Sequence, residues 1–407
     1  MRVLMVTPGT RGDVTPMAGL GQTLIRQGFD VAIAANPAYQ EVVAASGCAF
    51  HELPGDMSAL VNPAAPGTKT SPKDLRNYLA ELGTYFDQAA TGTLRAAEHC
   101  ADLILANSVA PFAFDVAEAL GIPSISAHLQ PTEPSGQYAP MTLGTARSFG
   151  NVGNRALHHL LSSAKAPYDA PTARIRAELG LPKRSRAATE RQRRKTGQPV
   201  LNGFSSAVVP RPADWHENII NCGYWWPATD PSWSAPAQLR DFLSAGEPPT
   251  FLGFGSTQAL ELDFLLEVAR RTGRRTIVQG AGEFSETDVL GIGPVPHQWL
   301  FPQVTAVVHH AGAGTTAAGL RAGTPAVPVP IFTDQPFWAA QLHRLGAGTA
   351  PIPFKNLTVG SLTEAINEAV GNEQYRQSAK WLSTKLADEE DSALTVATFL
   401  EQYRPSR

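Results

Sequence analysis

The stretch Val307 to Pro336, VVHHAGAGTTAAGLRAGTPAVPVPIFTDQP, holds one full cycle of a repeating pattern. An apolar run ends in His309 and His310, Gly312 and Gly314 open a turn, and a helix of small residues follows. A second apolar run, PAVPVPIF, leads into a loop with an acid, an amide and a proline. Strand, helix and strand over about thirty residues make a βαβ unit, which joins parallel strands. In such sheets ligands sit beyond the carboxyl ends of the strands. The loops that follow strands are therefore where chemistry is expected.

The same pattern recurs on either side. RVLMVT reads as a buried strand, PMAGLGQTLIRQG as a helix closed by Gly28, and DVAIAAN as a second strand. ADLILAN and PSISAHL are further short strands, with the helix-like PFAFDVAEALG between them. PPTFLGFGS and RTIVQG lead into the opening stretch. The 407 residues exceed one ordinary core, so two α/β domains are expected. The reading places the first over 1–212, a linker and the second over 213–388, and a tail helix packing back over 389–407. Pro210 to Pro249, rich in proline and tryptophan, is read as the interdomain linker with its packing. The basic run KRSRAATERQRRKTGQ is read as a solvated helix or loop.

Bulk properties narrow the classes. Hydrophobic residues make up 43% of the chain, enough for sizeable cores. A formal net charge of −3 argues against a general nucleic-acid binder. The three cysteines, Cys48, Cys100 and Cys222, form neither a disulfide framework nor a zinc spacing, which fits a reducing compartment. The opening MRVLMVTPGT is too short an apolar run for a signal peptide, and no stretch reaches the ~18 apolar residues of a spanning helix. A cytoplasmic location is the expectation, with no nucleic acid and no stable membrane insertion.

Four loops after strands stand out. In HHAGAGTT, Gly312 and Gly314 permit close backbone approach, and the helix start at Ala313, Gly314 and Thr315 offers free N–H groups to a phosphate. The same residues also suit a tight turn with no ligand. His310 can donate to a phosphate oxygen. No lysine follows the glycines, so this is not a Walker loop. In GFGSTQ, Ser256 is a second candidate donor to phosphate; the missing third glycine speaks against a dinucleotide site. In TDQP, Asp334 or Gln335 can cap the next helix, and the pair also offers acceptors and donors suited to sugar hydroxyls. In TPGTRGDVTP, Thr15 before Pro16 reads as the N-cap of the first helix, which leaves Asp13 free of capping. A carboxylate in a glycine-containing loop there is a general-base candidate or a surface acid.

Together RGDVTP, GFGS, HHAGAGTT and TDQPFWA resemble the nucleotide-sugar glycosyltransferases of the GT-B fold, over nearly the whole chain. GYWWP and LQPTEP resemble the sterol and vancomycin-type antibiotic branch of family 1. The resemblance implies two facing Rossmann-like domains, the first for acceptor and the second for donor. It implies that His310 and the backbone of Gly312, Ala313, Gly314 and Thr315 hold the diphosphate. It adds Ser256 as a second contact, with Thr10 and Gly12 on the donor side of the first loop. Asp334 and Gln335 would read the sugar, Val295 to Gln298 would cradle the base, and Asp13 would be the catalytic base. The chain departs from the common pattern at Ala311, where the turn usually has glycine, and at Ala318, where plant members place a ribose-binding glutamate.

The resemblance implies inverting transfer of a hexose, glucose first, from a UDP-sugar ahead of a dTDP-sugar. The acceptor would be a hydrophobic hydroxylated small molecule such as a polyketide or macrolactam antibiotic or a sterol. No Asp-x-Asp motif is present, so no metal or other cofactor is expected. Met57, Phe112, His128 and Tyr138 are the acceptor-side candidates, each also explicable as packing. A nucleotide-sugar epimerase and a non-catalytic nucleotide-sugar binder are the competing functions. A nicotinamide dehydrogenase would need the fingerprint that is missing.

Overall fold

The computed structural model describes residues 1–55, 60, 72–255, 260–389 and 392–404. Two sheets organise them. The first has seven parallel strands in the order β3-β2-β1-β4-β5-β6-β7. These are β1 Arg2–Thr7, β2 Asp30–Ala35, β3 Ala49–Glu52, β4 Leu103–Ala106, β5 Ser124–His128, β6 Val200–Asn202 and β7 Ile219–Asn221. The second has six strands in the order β10-β11-β9-β8-β12-β13. They are β8 Thr250–Gly253, β9 Thr276–Gln279, β10 Phe284–Ser285, β11 Val289–Ile292, β12 Ala306–His309 and β13 Ala326–Pro328. Among the described strands, only the short edge pair β10/β11 is antiparallel. Both sheets are covered by helices on their two faces, which is why their central strands are apolar without alternation: Val3 to Val6 and Ala306 to Val308 are all fully buried.

The strand orders set the ligand sites. In the first sheet, β1 pairs with both β2 and β4, so connections leave in opposite directions on either side of the β1/β4 boundary. In the second, β8 pairs with both β9 and β12, and the same reversal occurs at β8/β12. A crevice opens at each switch point, beyond the carboxyl ends. The loop of Thr10 to Asp13 and Asn107 border the first crevice, and Gly255 with His310 to Gly312 border the second.

Several local expectations change. The first helix runs Arg11–Arg26, with Thr10 rather than Thr15 as N-cap. The capping box of Thr10 and Asp13 outcompetes the Thr-Pro start, and Pro16 is accommodated inside the helix. The first sheet continues past residue 212, because β7 pairs in parallel with β6. Its Ile219 and Ile220 lie within a Pro- and Trp-rich segment that hides their strand character. The basic run does form a helix, Arg186–Lys195, but it is not fully solvated. Arg186 is bound to Asp169 and Glu190, each at 2.9 Å. Arg193 donates to Ser124 Oγ at 3.0 Å and lies 3.5 Å above the Phe114 ring. Their aliphatic stems cover apolar surface while the guanidinium groups find partners.

Chain ends and linker tie the halves together. The helix Ser392–Glu401 puts Ala393, Val396, Ala397 and Leu400 into the core under β1 and the first helix. A third core mixes residues of both halves, among them Phe204, Val208 and Tyr224 with Leu320, Trp338 and Leu382. A Cβ on Gly19 would lie 1.7 Å from the Trp226 carbonyl oxygen, so only glycine lets the linker cross the first helix this closely.

Candidate active site

Asp13 stands at the third position of the first helix. The Thr10 N–H donates to its Oδ2 at 2.8 Å, and Thr10 Oγ1 donates to the same oxygen at 3.3 Å. The expectation that Asp13 has no capping duty is thus corrected: capping is what fixes its carboxylate. Gly9 lies beneath, and a Cβ there would sit 2.1 Å from Asp13 Oδ2. The loop is held from behind by Tyr85, whose hydroxyl donates to the Pro8 carbonyl at 2.6 Å. Withdrawal from solvent raises the Asp13 pKa. The Thr10 N–H opposes that rise, the Asp334 carboxylate across the crevice adds to it, and the Thr10 hydroxyl and Asn107 amide lower it.

In the second crevice β12 ends at His309, and the helix Ala313–Ala322 starts behind Gly312 with no side-chain cap. The N–H groups of Ala313, Gly314 and Thr315 therefore face outward without intrahelical partners. No heavy atom lies within 4 Å of the Cβ position at Gly314, so the approach is open. The His310 ring is wedged between Gly255 and Gly312: a Cβ would come within 3.0 Å of it at Gly255 and 2.5 Å at Gly312. His310 Nδ1 is buried with no protein partner. Burial lowers His310 to about 4, so at neutral pH it is an uncharged imidazole. His309 is fully buried instead, its Nδ1 accepting from the Ala311 N–H at 3.1 Å, which is a turn-holding task. Ala311 has φ +61, a left-handed conformation that glycine adopts without strain and alanine does not.

The TDQP loop closes the same crevice. Thr333, a β-branched residue, has φ +53, an uncommon and strained backbone. Asp334 accepts from Thr333 Oγ1 at 3.0 Å and from Trp338 Nε1 at 2.9 Å. Burial raises its pKa. Asp334 is the N-cap residue of the helix Gln335–Arg344 by position, yet it makes no capping hydrogen bond. Gln335 is buried, and its Oε1 accepts from the N–H groups of Ile331 and Phe332 at 2.8 and 3.1 Å. That oxygen holds the loop; the amide nitrogen is the part of Gln335 left to read a ligand.

The remaining candidates are placed as follows. Thr10 and Gly12 lie at the first helix start. Val295 is half-buried and Gln298 exposed, flanking His297, whose ring stacks on Phe301 at 4.4 Å and lies 3.3 Å from Gln279 Oε1. Burial lowers His297 to about 4, helped by His310 and by Arg11 of the first half. Met57 and Ser256 lie outside the described residues. Phe112 is fully buried in the core beside Phe86, with no surface to offer an acceptor, so its expected contact is corrected to packing. His128 ends β5, is buried, and pairs through Nδ1 with Thr132 Oγ1 at 2.9 Å. Tyr138 packs edge-on against Trp215 and against Phe337 of the second half, at 6.3 and 5.7 Å. Among the described residues, no group of three or more His, Cys, Asp or Glu side chains is arranged to hold a metal ion. None of their helices is long and apolar enough to cross a membrane.

Sequence reasoning passed over Asn107 and Arg11. Asn107 directly follows the β4 run, so the rule of inspecting every strand end would have found it. Arg11 sits in the strand-end stretch that holds Asp13, but its nearness to His297 exists only when the two halves face each other.

Comparison with known proteins completes the picture. Residues 3–135 match the glycosyltransferase family 28 N-terminal domain, and residues 286–400 match the C-terminal domain of erythromycin biosynthesis protein CIII-like proteins. The chain is 32% identical to O-mycaminosyltylonolide 6-deoxyallosyltransferase of Streptomyces fradiae, over 100% of this chain and 98% of that one. It is 31% identical to the sterol 3-beta-glucosyltransferase UGT80A2 of Arabidopsis thaliana, over 98% of this chain but 65% of that one. It spans 35% of the sterol 3-beta-glucosyltransferase of Saccharomyces cerevisiae. The crystal structure of glycosyltransferase VinC in complex with dTDP superposes with a TM-score of 0.69 at 18% identity, covering 99% of both chains. Spinosyn forosaminyltransferase SpnP gives 0.71 at 17% identity, again covering 99% of both. With two facing switch-point crevices and full-length similarity to an antibiotic glycosyltransferase, the chain belongs to the GT-B family 1 glycosyltransferases.

Proposed function

We propose that this glycosyltransferase moves a hexose, glucose first, from a UDP-sugar to a hydroxyl of a hydrophobic small molecule such as a polyketide or macrolactam antibiotic or a sterol. The observation that carries the reading is that Asp13 of the first half lies within electrostatic reach of the Asp334 carboxylate of the second, which adds to the rise of its pKa. A base from the first half then faces a sugar-reading group from the second. In the proposed reaction the acceptor oxygen bonds to the anomeric carbon as the bond from that carbon to the diphosphate oxygen breaks on the opposite face. Configuration inverts. Asp13 takes the hydroxyl proton, using the oxygen that Thr10 does not hold. The diphosphate leaves with its growing charge against the N–H groups of Ala313 to Thr315 and the His310 ring, a preorganised array that needs no rearrangement. Asp334 and the Gln335 amide orient the sugar, Thr10, Gly12 and Ser256 adjoin the donor, and Val295 to Gln298 flank the base. His128, Tyr138 and Met57 are assigned to the acceptor side.

A dTDP-sugar is the second donor reading, favoured by the dTDP complex of VinC and the thymidine diphosphate complex of glycosyltransferase SsfS6 among the similar structures. The test is a calorimetric titration of wild type, Asp13→Asn and His310→Ala with UDP-glucose and dTDP-glucose, followed by turnover with hydrophobic hydroxylated acceptors. Asp13→Asn is expected to bind donor like wild type and to lose transfer. His310→Ala is expected to bind donor more weakly by about 1–3 kcal/mol. Turnover retained in Asp13→Asn removes Asp13 as base. Interconversion of the sugar without acceptor would support the epimerase instead, and binding without any turnover the non-catalytic protein. No metal or other cofactor is assigned to the reaction; a chelator is expected to leave the transfer rate unchanged.

A further inference from the structure

The helix Gly150–Ser163 buries polar groups beside half-buried Leu157 and Leu161 and leaves other apolar groups in water. Its buried side chains are Asn154 and His158. Asn154 donates to the Gly136 carbonyl at 2.8 Å and accepts from the Phe149 N–H at 3.0 Å, while His158 Nε2 lies 3.3 Å from the Tyr138 carbonyl. The outer side carries Val152, 82% exposed, and Leu160, 66% exposed, with Ala156 exposed between them. Phe149 at the helix start is 45% exposed. Residues 149, 152, 156 and 160 share one face at helical spacing. A helix that buries Asn154 and His158 while leaving Val152 and Leu160 in water presents a contact surface.

Charge identifies what the surface meets. From Pro134 to Tyr168 there is no Asp or Glu, although the whole chain has a net charge of −3. The segment carries Arg147, Arg155, Lys165, His158 and His159. Arg155 is held by Asp214 at 3.0 Å, whereas Arg147 lies over the Phe149 ring at 5.7 Å and Lys165 is exposed. With Arg155 neutralised by Asp214 and His158 buried, Arg147 and Lys165 are the cations beside the apolar stripe, and that combination suits a surface of anionic headgroups over hydrocarbon. A second copy meeting this stripe about a twofold axis would bring Arg147 and Lys165 of both copies to one interface.

We propose that this face docks on an anionic lipid surface. The turn leading into the helix places Gly144 against the cleft, with its Cβ position 3.9 Å from the Thr333 N–H nitrogen. Docking would therefore hold the cleft near the bilayer, a source of lipophilic acceptor; that consequence rests on the function proposed above, while the docking itself does not.

The test is co-sedimentation of the full chain with phosphatidylcholine vesicles, with and without phosphatidylserine, in the absence of any substrate. Wild type is expected to sediment with the phosphatidylserine vesicles only, and the double variant Val152→Glu/Leu160→Glu to lose about tenfold in partition. The milder Leu160→Gln is expected to fall between them. Donor binding by the double variant, measured calorimetrically, is expected to match wild type, which separates this proposal from the donor reading. Absence of wild-type sedimentation, equal sedimentation of the double variant, or loss of a concentration-dependent dimer in the double variant without any vesicle binding would each overturn the proposal. Loss of turnover on a water-soluble acceptor with vesicle binding unchanged would also overturn it, by making the stripe part of the acceptor site.

Discussion

Asp13 combines two tasks that pull in opposite directions. The Thr10 N–H that positions the carboxylate also stabilises its charge, while burial and Asp334 make it a stronger base. With Asp13 as the proposed base, transfer requires its unprotonated form, so the rate should fall as pH drops through a pKa above the ordinary 3.8 of an aspartate. Removing the charge of Asp334 in Asp334→Asn should move this acid limb to lower pH and, if Asp334 reads the sugar as proposed, weaken donor binding as well. Asn107→Ala, which removes an amide that favours the carboxylate, should move it to higher pH. The measurement is the pH dependence of kcat for the three proteins; limbs that coincide would show that neither residue acts on Asp13. Gly9 belongs to the same unit, since a side chain there would occupy the place of Asp13 Oδ2.

Single helices decide where these groups stand. The helix Ala313–Ala322 has its uncapped start at the crevice because Gly312, with no side chain, leaves the first N–H groups for a ligand. The helix Ser392–Glu401 acts from the other end of the chain. Val396 and Leu400 are fully buried against the first sheet and the first helix, although the segment follows the second domain in sequence. Leu400→Ala should cost about 2–5 kcal/mol, as core leucine truncations do. Denaturant unfolding of wild type and variant checks this, and a change below about 1 kcal/mol would show that the helix is only loosely attached.

The whole molecule behaves as one packed unit at the third core, where Phe204 meets Trp338 edge-on at 6.3 Å. Both halves contribute to it, so calorimetry should record a single unfolding transition, and Trp338→Ala should lower it by about 3–5 kcal/mol of stability. Two separated transitions in wild type would contradict this coupling. Acid should destabilise the same body. His128, His297 and His310 are held at about 4 and His309 at about 3 by burial, against an ordinary 6.5. The unfolded chain takes up these protons first, so stability present above pH 6.5 should be lost as pH falls below it. Thermal midpoints measured from pH 7.5 downward would test the sign.

Much of this was legible in the residues themselves. Apolar runs without alternation, broken by glycine turns and helical spacing, specify doubly wound sheets because strands covered on both faces have no polar side to show. Strand-end loops located Asp13, His310, Gly312 and Asp334, since that end is where parallel sheets open. What the sequence left undetermined depends on contacts between distant segments. Thr10 displaced Thr15 as cap because the Asp13 carboxylate returns to the Thr10 N–H, a reciprocal bond that a Thr-Pro pair does not make. β7 emerged from a Pro-rich stretch because β6 was available as its neighbour. Phe112 moved from acceptor candidate to core, and Arg186 and Arg193 of the basic run found partners, because burial and partners are settled only by packing. The electrostatic influence of Asp334 on Asp13 and of Arg11 on His297 belongs wholly to the tertiary structure: charges act through space, and only the facing of the two sheets brings these within reach.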